Sequence, residues 1–275
     1  GTYKMELDGK VALVLGAIKG IGKGVGLALA AQGAGVALNY YDWEESLPDL
    51  QQTFAAQSSP FLILRTNLIE TEAIKDLIRR VIDHFGRLDI LINNIERGGW
   101  PIVHGPYVRQ QWDLEIDTCL RAKRWVFEEA LPHLKASGNG VVINISSIAG
   151  IVGRTGPAGP FFNEGYAAAN RGISLLTETW ARIGAPEVRV NELMLGFVES
   201  RHGRGTRGWG LLSGDQKQAL IDHTLMARTG TIADVVKAVL FMLKDAPFMT
   251  GTVLRLDGGY VLGGDRVAAM PPGVL

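Results

Sequence analysis

The sequence predicts an α/β fold in which one parallel sheet is doubly wound in three layers, as a single Rossmann-like domain. Short apolar runs, rich in β-branched residues, alternate with segments of helical period along the whole chain. The first run, residues 11–15, is followed by a glycine-rich turn and then by a helical pattern. Because repeated β–α alternation implies right-handed crossovers, we expect the strands to lie parallel in one sheet.

Composition narrows the class of protein. The chain has 275 residues, and its 28 Lys and Arg residues balance 28 Asp and Glu residues. This length is sufficient for one large domain over residues 1–275, and zero net charge argues against nucleic acid or a membrane surface as the main partner. Cys119 is the only cysteine, which excludes an internal disulfide and fits a cytoplasmic protein. We expect no membrane span and no bound metal.

Seven strands are predicted, each a short apolar run that is closed by polar residues or glycine. They span residues 11–15, 36–41, 61–64, 88–92, 141–145, 188–193 and 252–256. Asparagine or serine follows several of these runs, and such side chains satisfy backbone groups at a strand end.

Seven helices are predicted between and after these strands. They span residues 23–32, 47–56, 71–85, 112–134, 166–183, 216–226 and 232–243. Gly33 stops the first helix, and Pro48 is tolerated in the first turn of the second. The third is amphipathic, because apolar residues recur at helical spacing from Ile74 to Ile82.

A glycine- and arginine-rich stretch within residues 197–226 is expected to form a lid over a substrate, with Trp209 either lining the pocket or fixing the loop. Its arginines either attract an anionic substrate or form a solvated charged segment: Arg201, Arg204 and Arg207. Two other irregular stretches are expected at 98–106 and at the Gly/Pro-rich residues 150–165, and a tail at 260–275.

The chain is organised around the turn that holds Gly16, Gly20 and Gly22. A strand, this turn and a helix bring the helix N-terminus to the carboxyl edge of the sheet, where free N–H groups and the helix dipole attract a phosphate. Glycine is needed because a Cβ would keep the backbone away from a pyrophosphate. The alternative is a strand–helix turn that binds no ligand.

The end of the second strand bears on which dinucleotide is bound. An acidic residue there favours NAD, and a basic one favours NADP. The positions hold Tyr40 and Tyr41, with Asp42 the nearest acid. Lys19 in the glycine turn could meet a 2′-phosphate, so we favour NADP over NAD and leave both open.

Motifs in this order resemble the short-chain dehydrogenase/reductase family over nearly the whole chain. The family's T-G-x-x-x-G-x-G is similar to residues 15–22, with Leu15 in place of Thr, and its N-N-A-G matches residues 93–96 in the first half only. The strand that bears its catalytic serine resembles residues 144–147, and its Y-x-x-x-K resembles residues 166–170. Its C-terminal motifs resemble residues 195–200, 250–251 and 257–259.

The resemblance implies hydride transfer between a nicotinamide cofactor and a small carbonyl or alcohol substrate. It implies that Tyr166 is the acid/base, that Ser147 holds the substrate oxygen, and that the chain forms a homodimer or homotetramer. The implied cofactor contacts are Gly16, Ile18, Lys19, Gly20, Ile21, Gly22, Tyr40, Tyr41, Asn67, Leu68, Asn93, Asn94, Ile95, Tyr166, Asn170, Gly196 and Val198.

The chain departs from the family at two catalytic positions. Asn170 replaces the lysine that lowers the tyrosine pKa, and a neutral amide supplies no net charge. Cys119 replaces the asparagine that supports a proton-relay water, and Ser147 and Tyr166 are nineteen positions apart, more than is usual in the family.

Three interpretations of these departures stay open. The first is an enzyme whose activity is lowered by the missing lysine or rescued by another cation. The second is a catalytically impaired protein that binds a nucleotide or a partner, as a sensor or subunit. The third is a different chemistry in the same cleft that uses Glu96, Glu164 or Cys119.

Overall fold

The sheet occupies the middle of the computed structural model, which describes residues 5–96, 106–199 and 209–273. Its strands are β1 (Val11–Val14), β2 (Gly35–Tyr40), β3 (Phe61–Arg65), β4 (Ile90–Asn93), β5 (Gly140–Ser147), β6 (Val188–Leu195) and, after two short strands, β9 (Val253–Leu256). All seven run parallel in the order β3-β2-β1-β4-β5-β6-β9. The predicted doubly wound parallel sheet is therefore confirmed.

Helices cover both faces of this sheet. They are α1 (Gly20–Ala31), α2 (Leu47–Ala55), α3 (Thr71–Phe85), α4 (Arg109–Ile116), α5 (Ala122–Ala136), α6 (Ala149–Val152), α7 (Glu164–Gly184), α8 (Gly214–His223) and α9 (Ile232–Lys244). None of the helices in the described residues is long and apolar enough to cross a membrane.

Two apolar cores hold the three layers together. On one face Val14 and Ile143 pack with Leu29 of α1 and Val239 of α9. On the other face, residues one position away on the same strands, such as Leu13 and Val142, pack with α3, α5 and α7. This period of two explains why fully buried strands show continuous apolar runs.

Strand order reverses between β1 and β4, because β2 and β3 lie to one side and β5, β6 and β9 to the other. Loops at the carboxyl ends of the strands separate at such a point and leave a crevice, which is where doubly wound sheets bind ligands. The glycine turn after β1 and the asparagines at the end of β4 both lie at this edge.

The predicted helix over 112–134 is wrong in one respect: it is three segments rather than one regular helix. A π-helical turn at Asp117–Arg121 joins α4 to α5 and contains Cys119. One extra residue changes the helical phase once, and the helix before it is too short for that change to show in the apolar spacing. The predicted strand over 88–92 begins later than expected, at Ile90.

Two local elements have no counterpart in the prediction. A two-stranded parallel ribbon pairs β7 (Val198–Glu199) with β8 (Gly230–Thr231). The Gly/Pro-rich segment over 150–165 is partly regular, since α6 is followed by a 3₁₀ turn at Gly156–Ala158. The predicted loop over 98–106, except its last residue, and the arginines 201, 204 and 207 lie outside the described residues.

Candidate active site

A cleft of about 610 Å³ opens at the carboxyl ends of the central strands. Most predicted site residues line it: Gly16, Ile18, Lys19, Gly20, Ile21, Gly22, Tyr40, Tyr41, Asn67, Leu68, Asn94, Ile95, Ser147, Tyr166, Gly196 and Val198. Three predicted residues, Asn93, Cys119 and Asn170, are not part of its wall. The sheet edge thus brings the glycine turn and the Ser147–Tyr166 pair into one continuous crevice.

The glycine turn adopts the backbone shape that the sequence implies. Gly16 and Gly20 both have φ of 60°, a region that side chains with a Cβ rarely adopt. A Cβ on Gly16 would lie 2.3 Å from the backbone oxygen of Asn94. Helix α1 then begins at Gly20. In this described part of the chain, the side chain of the preceding residue, Lys19, accepts no hydrogen bond from the first N–H groups of the helix. These first-turn N–H groups are the donor set that a pyrophosphate needs.

Cations and aromatic rings gather at the end of β2. The Lys19 ammonium lies 2.9 Å from the centre of the Trp43 ring, and the Arg65 guanidinium lies 4.9 Å from the centre of the Tyr41 ring. Arg65 is also paired with Glu44 at 2.8 Å. Sequence reasoning missed Trp43 and Arg65, although Tyr40 and Arg65 face each other across β2 and β3.

Tyr166 and Ser147 meet at the other end of the cleft. Tyr166 is in the first turn of α7, and its hydroxyl donates a hydrogen bond of 2.6 Å to Oε2 of Glu96. Burial and the Glu96 charge raise the pKa of Tyr166 well above its ordinary value of 10, while a hydrogen bond from Ser147 opposes this rise. The phenol is therefore neutral at physiological pH. The nineteen-residue separation does not displace either side chain, since Ser147 and Tyr166 both line the cleft.

Glu115 of α4 fixes the start of α7, which sequence reasoning missed. Its buried carboxylate accepts hydrogen bonds from Nδ2 of Asn163 at 2.9 Å and from the backbone N–H of Tyr166 at 3.1 Å. The Tyr107 hydroxyl donates to the same carboxylate at 2.5 Å. A carboxylate at a helix N-terminus is stabilised by the helix dipole. It therefore anchors the turn that carries Tyr166.

Asn170 joins β5 to α7 instead of lining the cleft. Its Oδ1 accepts a hydrogen bond of 3.0 Å from the backbone N–H of Ser147, and its Nδ2 donates one of 2.9 Å to the backbone oxygen of Tyr166. The side chain is only 2% exposed. Both ends of the amide are thus engaged in holding the two predicted catalytic residues in register.

Replacing Asn170 by Leu is expected to lower the free energy of unfolding by about 1–3 kcal/mol, because the buried N–H of Ser147 loses its acceptor. Urea denaturation of purified protein measures this change. Asn139→Leu alters an exposed turn residue and should be close to neutral. Equal stability of both variants would contradict the role assigned to the amide.

A row of buried polar side chains lies beneath Ser147 and Tyr166. Asn93, Asn144 and Glu192 face one another across β4, β5 and β6, and Nδ2 of Asn93 donates to the backbone oxygen of Lys123 at 3.2 Å. Asn93 was predicted to contact the cofactor. The strand's period of two directs its side chain instead toward α5, whereas the neighbouring Asn94 lines the cleft.

Lys123 is a buried cation that sequence reasoning missed, since lysines in helices are ordinarily exposed. It is 1% exposed, and its Nζ donates a hydrogen bond of 2.6 Å to the backbone oxygen of Ile145. Burial lowers the pKa of Lys123, and the charges of Cys119, Glu96 and Glu192 oppose that shift. Burial likewise raises the pKa of Glu192, against hydrogen bonds from Ser146 and Ser174 and the charge of Lys123.

The remaining candidates for chemistry differ in position. Cys119 is buried in the π-helical turn, yet its charged form would raise the pKa of Tyr166. Glu164 is exposed and pairs with Arg154 at 3.4 Å, away from the cleft wall. Across the described ranges, His, Cys, Asp and Glu residues form no group of three or more that could hold a metal ion.

Aromatic rings from the Gly/Pro-rich segment form one wall of the cleft near Tyr166. Phe162 stacks on Phe197 at 5.7 Å and lies 6.0 Å from Tyr166 between ring centres. Phe161 also contacts Phe197, and Trp209 lines the same cleft. The segment that lengthens the spacing between Ser147 and Tyr166 therefore supplies apolar surface beside Tyr166.

Comparisons with known proteins agree with this geometry. The family model described as enoyl-(acyl carrier protein) reductase matches residues 16–261. The 3-oxoacyl-[acyl-carrier-protein] reductase FabG of Staphylococcus aureus is 31% identical over 257 residues, which cover 92% of this chain and 98% of that protein. The protein of the same name from Thermotoga maritima is 29% identical over 264 residues. That match covers 94% of this chain and 100% of the relative.

A solved structure gives the same result for the fold. The short-chain dehydrogenase/reductase of Serratia marcescens, solved as a mutant, superimposes with a TM-score of 0.80 at 25% identity. The match covers 94% of this chain and 100% of that chain. Fold, ordered motifs and relatives agree, and the chain belongs to the short-chain dehydrogenase/reductase family of oxidoreductases.

Proposed function

We propose that this oxidoreductase transfers a hydride between a nicotinamide dinucleotide and a carbonyl or alcohol carbon. The observation that carries the proposal is the placement of the Tyr166 phenol and the Ser147 hydroxyl in the same cleft as the glycine turn. A dinucleotide with its pyrophosphate at the turn would extend along that crevice toward Tyr166. The cofactor supplies or accepts the hydride when it is bound.

The chain's own residues perform the rest of the reaction. The first-turn N–H groups of α1 bind the pyrophosphate, and Asn67, Leu68, Asn94 and Ile95 line the crevice between the turn and Tyr166. Gly196 and Val198 are proposed to approach the nicotinamide amide. Ser147 donates a hydrogen bond to the substrate oxygen, and Tyr166 gives that oxygen a proton during reduction.

NADP is the favoured cofactor. Lys19 lies beside Trp43 at the end of β2, where the adenosine ribose of a dinucleotide binds in doubly wound sheets. An ammonium there would interact favourably with a 2′-phosphate. Asp42 lines the same part of the cleft, which keeps NAD as the alternative.

The aromatic wall suggests the class of substrate. Phe161, Phe162, Phe197 and Trp209 line the cleft near Tyr166, so the carbonyl would be attached to an apolar chain or ring. The Staphylococcus aureus relative is named as a reductase of 3-oxoacyl groups on acyl carrier protein. A 3-oxoacyl thioester is accordingly the first substrate to test.

Calorimetric titration with NADPH and NADH tests the cofactor before any substrate is chosen. We expect the protein to bind NADPH, and to bind NADH either more weakly or not at all. A panel of 3-oxoacyl thioesters and aryl ketones then tests turnover. Absence of heat with either dinucleotide, in protein that is folded by circular dichroism, would refute the proposal.

Gly22→Ala is expected to weaken NADPH binding at least about tenfold, or about 1.4 kcal/mol. The added Cβ would lie 2.2 Å from the backbone oxygen of Gly16, so the turn must shift. Gly214→Ala is the matched control, because nothing lies within 4 Å of its Cβ position. An unchanged dissociation constant in the Gly22 variant would contradict pyrophosphate binding at this turn.

A second candidate function is a catalytically impaired protein that binds a nucleotide or a partner as a sensor or subunit. It is favoured by Asn170, whose neutral amide occupies the lysine position and is hydrogen-bonded inside the fold. If this interpretation holds, Asn170→Lys combined with Cys119→Asn should create activity that the wild type lacks. Efficient turnover by the wild type would exclude it.

Association between copies of the chain is a further proposal. Leu175 on α7 is 66% exposed, and Ile183 on the same helix is 45% exposed, which supports association of two or four copies through the long helices. Light scattering after gel filtration measures the number of copies directly.

Three further features are proposed on the same basis. Residues 197–226 form a lid over the substrate, and residues 260–275 form a tail that packs on a neighbouring subunit. The protein is located in the cytoplasm.

A further inference from the structure

We infer that Glu96 exchanges a proton with Tyr166 during the reaction and links the buried phenol to solvent. The inference rests on the proposed carbonyl reduction and adds the route of its proton. The phenol hydroxyl donates directly to Oε2 of Glu96 at 2.6 Å. Tyr166 is buried, whereas Glu96 is exposed at the end of β4. The pair therefore connects the cleft with water through one hydrogen bond.

A free phenolate would be costly at this position. Glu96 places a negative charge against the phenol, and the surroundings of the phenol are buried, so both effects favour the neutral form. Asn170 occupies the position from which a cation could stabilise a phenolate, and its amide is neutral. A mechanism that never forms the phenolate avoids this cost.

A proton relay from Glu96 through Tyr166 to the substrate avoids a free phenolate, and its atoms and charges balance. During reduction the carbonyl carbon gains the hydride of the reduced dinucleotide, and its oxygen takes the proton of the Tyr166 hydroxyl. For this step the Glu96 carboxylate, which accepts the phenol's hydrogen bond in the structure, first takes a proton from water; the resulting carboxylic acid gives that proton to the phenol oxygen as the phenol gives its own to the substrate, and the carboxylate is restored. Alcohol oxidation runs the same transfers in reverse, with the Glu96 carboxylate as the final proton acceptor.

The groups around Glu96 define how pH enters. Tyr166 faces it from α7, and Ser147 hydrogen-bonds the phenol from the end of β5. From the π-helical turn and α5, Cys119 and Lys123 are close enough to interact electrostatically with this pair, and Glu192 of β6 interacts with Lys123. Reduction takes up one proton through this pair and oxidation releases one, so reduction should slow as pH rises and oxidation should slow as pH falls.

Glu96→Gln tests the relay. Glutamine can hydrogen-bond the phenol but cannot exchange a proton, so we expect kcat for reduction to fall at least about tenfold and its decline with rising pH to disappear. The dissociation constant for NADPH should stay within about twofold of wild type, a negligible difference in binding free energy. Glu164→Gln, which changes an exposed carboxylate near the start of the same helix as Tyr166, should keep the wild-type rate and pH profile.

Ultraviolet titration of Tyr166 gives a readout that does not need turnover. Difference spectra against Tyr166→Phe isolate this phenol among the six tyrosines. The phenolate should appear at lower pH in Glu96→Gln than in the wild type, because the facing negative charge is gone. An unchanged titration, or an active Gln variant with the wild-type pH profile, would overturn the inference. Absence of wild-type turnover would instead defeat the proposed function, and the relay with it.

Discussion

Tyr166→Phe is expected to lower kcat for carbonyl reduction by about 10²–10⁴-fold, the range that a positioned acid or base contributes. Tyr166 is proposed to transfer its proton to the substrate oxygen, whereas Ser147 only donates a hydrogen bond to that oxygen. Phenylalanine keeps the ring and its packing 6.0 Å from Phe162, so the cleft should keep its shape. Initial rates under saturating NADPH measure the effect.

Two controls separate chemistry from structure in that experiment. The dissociation constant for NADPH should be unchanged in Tyr166→Phe, because the glycine turn lies at the other end of the cleft. Tyr107→Phe removes a hydroxyl that is likewise hydrogen-bonded to a carboxylate, Glu115, but Tyr107 is outside the cleft wall. Because Tyr107 acts on Tyr166 only through Glu115, the rate of this variant should fall far less than that of Tyr166→Phe. Equal turnover of Tyr166→Phe and wild type would exclude the phenol as the proton donor.

Lys123→Met is expected to lower the free energy of unfolding by about 1–3 kcal/mol, because the buried backbone oxygen of Ile145 loses its donor. The substitution removes the hydrogen bond to the Ile145 oxygen and the cation that opposes the raised pKa of Glu192. A second substitution, Glu192→Gln, should recover part of the loss, since the uncompensated carboxylate is then absent. Urea denaturation of the two single variants and the double variant completes this cycle.

The pH dependence of the Lys123→Met variant follows from the sign of the Glu192 shift. Burial raises the pKa of Glu192 in the folded protein, so stability falls as pH rises from the ordinary value of 4.5 toward the raised pKa and stays constant above it. Without Lys123 the pKa rises further. The stability deficit relative to wild type should therefore shrink as pH falls toward the ordinary value of 4.5.

Lys75→Met is the matched control for both measurements. Lys75 is exposed and forms a surface pair with Glu72 at 3.1 Å, and such pairs contribute little to stability. Its stability should stay close to wild type at each pH. If Lys123→Met were equally harmless, the buried lysine would not compensate the charge of Glu192.

The fold was predictable because its signals are local and periodic. The helix predicted over 71–85 has those bounds in the structure, since Gly86 with φ of 76° ends it and its apolar residues share one face. The π-helical turn at Asp117–Arg121 escaped prediction because it shifts the helical phase only once, after a helix of eight residues that holds few apolar positions. The β7–β8 ribbon joins segments some thirty residues apart through two residues each, too few to show a strand period.

The site was predictable where a backbone shape or an ordered motif determines it. The glycine turn and the residues that follow β2, β3, β4 and β6 line the cleft as expected. Glu96 and Lys123 show the limit. Whether a carboxylate meets a phenol seventy residues away, or a lysine is buried against Ile145, depends on how strands and helices pack together. No spacing in the sequence records such contacts.

Transfer of deuterium from NADPH that carries deuterium at both C4 positions of the nicotinamide would test the hydride step itself. We expect wild-type protein to reduce an apolar carbonyl to an alcohol with one deuterium on the former carbonyl carbon, as mass spectrometry would show, and we expect Tyr166→Phe to form little of it. An alcohol product without deuterium, or labelled product formed equally well by Tyr166→Phe, would contradict hydride transfer assisted by this phenol.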